Sequence, residues 1–225
     1  MQDQHARLEW RAGDVPVSRQ YDDPYFSLDD GLEETRHVFL AGNDLPGRFR
    51  DGFRVAELGF GTGLNMLVAA EAWAGQGAPG TLHLISFEAH PISAPDMVRA
   101  LAAFPSLAPR AARLVHGWQG NAGRIDLGDG AFLQVIIGDA RATLPHWTGR
   151  ADAWFLDGFA PARNPQLWEP DLLAAVAAHT APGGTAATYT AAGHVRRALA
   201  AAGMDVSRVP GYGRKRHMTI ARMPR

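Results

Sequence analysis

The chain has 225 residues, 46% hydrophobic and 20% charged, with a formal net charge of -1, a size and balance that fit one α/β domain with a sizeable core. It has no cysteine, which excludes disulfides, thiolate nucleophiles, zinc ribbons and cysteine-ligated iron–sulfur clusters. No run of eighteen apolar residues occurs, residues 1–11 lack the build of a signal peptide, and the nine histidines show no metal-ligand spacing, so a cytoplasmic protein without membrane span or metal is expected.

Residues 1–50, rich in Asp and Gly with scattered aromatics, predict a small β-containing extension in front of a main sheet. The run 53–58 ends in a glycine cluster and 64–73 has helical spacing, giving a strand, a tight turn and a helix. A second strand over 81–87 ends at Glu88, and 95–104 reads as a helix. Residues 131–137 form a strand behind the turn 128–130, with 125–127 as a hairpin partner. The buried strand 151–156 exits at Asp157-Gly158. A helix over 172–179 stops at the 181–184 turn, 185–190 is a strand, and the helix 194–202 is closed by Gly203. The runs 204–209 and 217–221 follow without a helix between them, so they predict an antiparallel C-terminal hairpin. Alternating strands and helices imply a mostly parallel sheet covered on both faces. One domain over 1–225 is expected, with an extension over 1–50 and a Rossmann-like core over 51–225.

The sharpest local signal is Glu57-Leu58-Gly59-Phe60-Gly61-Thr62-Gly63-Leu64-Asn65, whose glycines let the backbone leave a strand and pass close under a ligand. Dinucleotide enzymes prefer G-x-G-x-x-G, with pyrophosphate on the helix N-terminus. Here the spacing is G-x-G-x-G, and Glu57 puts a negative charge where a pyrophosphate needs none. S-adenosylmethionine carries a sulfonium and an ammonium and no phosphate, so an acid beside the turn suits it. Glu88 at the second strand end is placed to accept both ribose hydroxyls, and Asp139, in Gly138-Asp139-Ala140, to accept from an adenine amino group. An NAD-type oxidoreductase on a similar sheet stays open as an alternative at this point.

The loop Asp157-Gly158-Phe159-Ala160-Pro161-Ala162-Arg163-Asn164-Pro165 combines a carboxylate, an aromatic ring, two prolines and an amide. Amine methylation needs such parts: an acceptor for the amine, a route for its proton and an apolar wall against water. A free alkylamine is protonated at neutral pH and has no lone pair to offer. Asp157 is the candidate that relays that proton away.

The strings at 56–67 (AELGFGTGLNML), 152–168 (DAWFLDGFAPARNPQLW), 188–197 (TYTAAGHVRR), 211–218 (GYGRKRHM) and 21–43 (YDDPYFSLDDGLEETRHVFLAGN) together resemble the methyltransferase of the tRNA 5-methylaminomethyl-2-thiouridine biosynthesis family, the N-terminal half of bifunctional MnmC and its stand-alone relatives. The resemblance implies a class I S-adenosylmethionine-dependent methyltransferase fold with a seven-stranded sheet. The implied reaction is methylation of the exocyclic amine of 5-aminomethyl-(2-thio)uridine at the tRNA wobble position. It further implies that Glu57, Gly59, Gly61, Gly63, Asn65, Glu88 and Asp139 hold the donor, that Asp157 is catalytic, and that Phe159, Pro161 and Asn164 shape the uridine pocket. Ala89 and Arg163 stand where the family usually has lysine. Bifunctional members continue into a flavin-dependent oxidase, of which this sequence carries no glycine fingerprint, so a separate FAD-dependent oxidase is the expected upstream partner.

Charge is uneven: residues 1–60 hold twelve acids against seven arginines, while from Thr190 onward there are eight bases and one acid. Arg196, Arg197, Arg214, Lys215 and Arg216 are candidate contacts for the phosphates and splayed bases of a tRNA anticodon loop, with Tyr25, Phe26 and Tyr212 as stacking surface. The competing readings are a methyltransferase acting on a small-molecule or protein amine, and a non-catalytic tRNA-binding module.

Overall fold

In the computed structural model, which describes residues 6–11, 14–27, 30–118 and 123–225, the chain opens with three short antiparallel strands, β1 (Leu8–Arg11), β2 (Val15–Ser18) and β3 (Asp23–Pro24). Residues 28 and 29 of the N-terminal motif block and 1–5 of the polar start lie outside the described residues. A helical stretch begins at α1 (Gly31–Thr35), where the Asp30 carboxylate accepts from Glu33 N at 2.9 Å and satisfies a donor left over at a helix start. Residues 1–50 thus hold the expected β layer and also a helical segment.

The main elements follow as β4 (Phe53–Leu58), α2 (Leu64–Gly75), β5 (Leu82–Glu88), α3 (Ala94–Leu101), α4 (Ala108–Gly117), β6 (Arg124–Gly128), β7 (Ala131–Ile137) and α5 (Ala140–Thr143). The chain then continues through β8 (Ala151–Leu156), α6 (Pro170–Ala178), β9 (Thr180–Thr188), α7 (Gly193–Ala201), β10 (Asp205–Pro210) and β11 (His217–Arg222). These strands form one sheet of eight, in the order β10-β11-β9-β8-β4-β5-β7-β6. β4, β5, β7, β8 and β9 pair in parallel, and β11 and β6 run against their neighbours. The sheet has one strand more than the seven that the resemblance implies, because the hairpin strand β6 joins its edge.

Period-two alternation explains the layers. Phe53 and Val55 of β4 and Ala153 and Phe155 of β8 enter one apolar cluster with α2, α3 and α4, while Ala56, Leu58, Trp154 and Leu156 enter a second with α6 and α7. α2 is apolar nearly all round and buries Leu64, Met66, Leu67, Val68 and Trp73, so it is a core helix rather than a surface one.

The stretch 181–184, expected to be a turn before β9, lies inside that strand instead. The pairing steps from Ala151 opposite Thr180 to Ala153 opposite Thr185, so Ala-Pro-Gly-Gly bulges out of register, where a proline without N–H is tolerated. Among the described residues no helix is long and apolar enough to cross a membrane, and no cluster of three or more His, Cys, Asp or Glu has a metal-holding arrangement.

Candidate functional site

The carboxyl ends of β4, β5, β7 and β8 open into a cavity of about 700 Å³, lined from the other side by the N-terminal strands, α1 and the β10–β11 loop. Such a crevice is where open α/β sheets bind ligands.

The turn after β4 is built by conformations that only glycine adopts without strain. Gly59 has φ +84°, and a Cβ there would lie 2.4 Å from the Asp157 carbonyl oxygen. Gly61 has φ +54° and would press its Cβ to 3.0 Å from the Tyr25 ring. Both line the cavity. Gly63 does not: it is the residue before α2, where a Cβ would meet Leu114 at 2.7 Å and Phe60 at 2.9 Å, so its task is packing.

Glu88, at the end of β5, lines the cavity and is anchored by Gly61 N at 3.0 Å and His90 N at 2.6 Å. Asp139 also lines it but is held by Arg141, whose Nη2 is 2.6 Å away, and Arg141 in turn reaches Glu169 at 3.2 Å. The Arg141 hydrogen bond holds the Asp139 carboxyl below its ordinary value. Its carboxylate therefore reaches the cavity already paired with a guanidinium.

Glu57 departs from expectation. It follows Phe53 and Val55 on the same face of β4, is fully buried, and lies outside the lining. Its Oε2 accepts from Ser86 Oγ at 2.6 Å and its Oε1 from Asn65 Nδ2 at 2.9 Å. Burial pushes its carboxyl well above the ordinary range despite those two bonds. A buried acid held toward its neutral form supplies little field to a cation.

Asn65 links that buried acid to the cavity. The same Nδ2 donates to Asp157 Oδ2 at 2.7 Å, and its Oδ1 accepts from Thr35 Oγ1 at 2.8 Å. Asp157 Oδ1 accepts from Gly158 N at 3.0 Å. Burial pushes the Asp157 carboxyl up to about 7, against the lowering effects of the Asn65 bond and the Lys215 charge, with Glu34 adding to the rise.

Beyond Asp157, Phe159 stacks on Tyr21 at 4.8 Å and meets Tyr25 edge-on at 5.1 Å. Tyr25 is held above the ordinary phenol value by burial first and the Glu88 carboxylate second. Asn164 is buried and lines the cavity, whereas Pro161 lies outside the lining. Of the candidate basic contacts, Arg214 lines the cavity mouth, while Arg196 and Arg216 do not.

The sequence reading missed Tyr21, Glu34 and Tyr189, and took Lys215 as a tRNA contact rather than as part of the cavity wall. All four line the cavity, and the Tyr189 hydroxyl donates to the Gly158 carbonyl at 2.7 Å. All four sit inside motif strings already singled out, which was the available signal.

A cavity with glycines where its floor comes close, a strand-end carboxylate fixed by two backbone N–H groups, and a second carboxyl near Phe159 fits a nucleoside-bearing cation better than a pyrophosphate. Comparison with known proteins agrees. A family model described as S-adenosyl-L-methionine-dependent methyltransferase matches residues 106–224. The chain is 50% identical over 229 residues to the tRNA 5-methylaminomethyl-2-thiouridine biosynthesis bifunctional protein MnmC of Caulobacter sp. (strain K31), covering 96% of this chain and 38% of that protein. It is 47% identical over 225 residues to the protein of the same name from Stutzerimonas stutzeri (strain A1501), covering 96% of this chain and 34% of that one. It thus spans little more than a third of these relatives' length. The crystal structure of MNMC2 from Aquifex aeolicus superposes with a TM-score of 0.74 at 24% identity, over 100% of this chain and 73% of that one, and shares its fold. Carboxylates and glycines at the strand ends, the matched model and the relatives lead to one assignment: the chain belongs to the S-adenosyl-L-methionine-dependent methyltransferase family.

Proposed function

We propose that the chain N-methylates the exocyclic amine of 5-aminomethyl-(2-thio)uridine at the wobble position of tRNA. The observation that carries this reading is Asp157, a carboxyl raised to about 7 that shares one cavity with Glu88 and Gly61. The names of relatives near 50% identity, which concern tRNA 5-methylaminomethyl-2-thiouridine biosynthesis, support the substrate. S-adenosylmethionine supplies a methyl group on a sulfonium, an electrophile that requires a nitrogen lone pair.

The chain's own residues prepare the rest. Gly59 and Gly61 keep the cavity floor free of side chains, and Glu88, already fixed by two backbone donors, keeps lone pairs for ribose hydroxyls. Asp157 takes the proton from the acceptor's ammonium. Moving a proton from an alkylammonium of pKa about 10 to an ordinary aspartate costs roughly 9 kcal/mol, and to one near 7 roughly half of that. The burial that raises Asp157 therefore removes several kcal/mol from the proton step. Tyr21, Tyr25 and Phe159 form the apolar wall that keeps water out.

The tRNA anticodon loop is the proposed partner at the basic β10–β11 side, an FAD-dependent oxidase activity is the proposed upstream partner, and the proposed substrate is a cytoplasmic one. The test is incubation with labelled S-adenosylmethionine and tRNA from a strain lacking this modification, followed by nucleoside analysis. The expected product is labelled 5-methylaminomethyl-(2-thio)uridine; label elsewhere, or none in tRNA, contradicts the proposal.

A further inference from the structure

Lys215 is the sole lysine of the chain, every other permanently cationic side chain being arginine. Its ammonium is bound into the cavity wall rather than left in solvent. Nζ donates to Glu34 Oε1 at 2.7 Å and lies 4.1 Å from the centre of the Tyr189 ring. Glu34 keeps only 15% of its side chain exposed, against 46% for Lys215, so the carboxylate belongs to the wall and the lysine reaches it from outside. Tyr189 is fixed in turn, because its hydroxyl is tied to the carbonyl of Gly158, the residue after Asp157. Glu34, Tyr189, Asp157 and Lys215 all line the one cavity.

A carboxylate and the face of an electron-rich ring, held at right range for one –NH₃⁺ group, are what recognition of a primary ammonium requires. A guanidinium is planar and forked and does not imitate that shape. Leaving a largely covered carboxylate without a cation is costly, so an ammonium at this position is favoured while the acceptor is absent. We propose that Glu34 and Tyr189 form the seat for the acceptor's alkylammonium, and that Lys215 occupies this seat as a stand-in which the acceptor displaces. The inference rests on the reading of the substrate as an alkylamine. It adds two specificity-determining residues to Asp157: the seat receives the ammonium arm, and the neighbouring carboxyl then takes its proton. A carboxylate-bearing arm at the same position would meet Glu34 and Asp157 as like charges and be rejected.

A sole lysine gives a single reporter. In protein labelled with ¹³C at the lysine ε-carbon, Lys215 contributes the only signal, displaced upfield by the Tyr189 ring. Adding tRNA that carries 5-aminomethyluridine should move this signal to the position of free lysine, whereas tRNA with plain uridine should not. Glu34→Gln should raise KM for the aminomethyl acceptor about tenfold, with donor Kd unchanged. The seat is overturned if Lys215 keeps its ring-shifted signal while the acceptor is saturating and being methylated, or if Glu34→Gln leaves KM unchanged. Failure of the wild type to methylate the aminomethyl tRNA would instead overturn the proposed function. The seat is then judged with butylammonium chloride alone: displacement of the Lys215 signal in the wild type but not by equal sodium chloride supports it, and no displacement overturns it.

Discussion

In the proposed reaction Asp157 carries the chemistry because of where its carboxyl is held, between Asn65 Nδ2 at 2.7 Å and its neighbour's backbone N–H at 3.0 Å. Replacing it by Asn keeps the shape and removes the proton acceptor, so the rate of methyl transfer should fall by about 10² or more while donor Kd is retained. The same change has a predicted effect on stability. The acid is raised from 3.8 to about 7 in the fold, so its neutral form is favoured there, and wild-type stability is lost as pH rises from about 4 to about 7. Asp157→Asn escapes that loss: thermal denaturation should find it more stable than the wild type at pH 8, with the gain shrinking toward pH 4. Gly59→Ala acts by sterics instead. With φ +84° and a Cβ 2.4 Å from a backbone oxygen, it should cost about 2–4 kcal/mol of stability and weaken donor binding, which denaturant titration and equilibrium binding of S-adenosylmethionine would measure.

At the scale of elements, the N-terminal strands are bound onto the Asp157 loop: Asp23 Oδ2 accepts from Ala160 N at 2.8 Å, Asp22 pairs with Arg163 at 3.0 Å, and Tyr21 stacks on Phe159. The Asp22 pair is exposed on both sides and contributes little. Asp23→Ala, by contrast, leaves a backbone N–H without its partner and loosens the acceptor wall, so acceptor KM should rise roughly three- to tenfold with donor Kd held. The buried parallel strands and the helix after the glycine turn were legible because continuous apolar runs ending in Gly or Asp have few other readings. α4 (Ala108–Gly117) was not, since its Ala-Pro-Arg-Ala-Ala-Arg sequence shows a narrow apolar stripe behind two prolines. The first half of β9 was hidden because Pro-Gly-Gly has turn chemistry wherever it stands, and only pairing with β8 turns it into a bulge. The glycine turn and the Asp157 loop, which meet at the cavity, were legible as motifs, whereas period two puts Glu57 on the core face with Phe53 and Val55. The contact of Glu34, Tyr189 and Lys215 joins residues more than 150 positions apart from the first to the other two, which no local pattern encodes.

For the molecule as a whole, we propose that residues 51–225 form one folding unit, with 1–50 as an extension that completes the cavity wall. Charge follows the same division, acidic in the extension and basic toward the C-terminus. Arg214 and Arg216 are exposed on the β10–β11 loop beside the cavity mouth. Reversing both charges should weaken tRNA binding at least about tenfold and lower the salt slope by about 2, without affecting S-adenosylmethionine binding; equal loss of both ligands would indicate misfolding instead. In the proposed reaction the cavity, the glycine turn and the Asp157 loop serve one event, the loss of a proton from the acceptor's nitrogen to Asp157. The most direct measurement is the pH dependence of single-turnover methyl transfer to tRNA carrying 5-aminomethyluridine. With Asp157 as the proton acceptor, the wild-type rate rises about tenfold per pH unit and levels off near 7, and Asp157→Asn lacks that inflection. A wild-type profile with no break near 7, or the same break in the Asn variant, would contradict it.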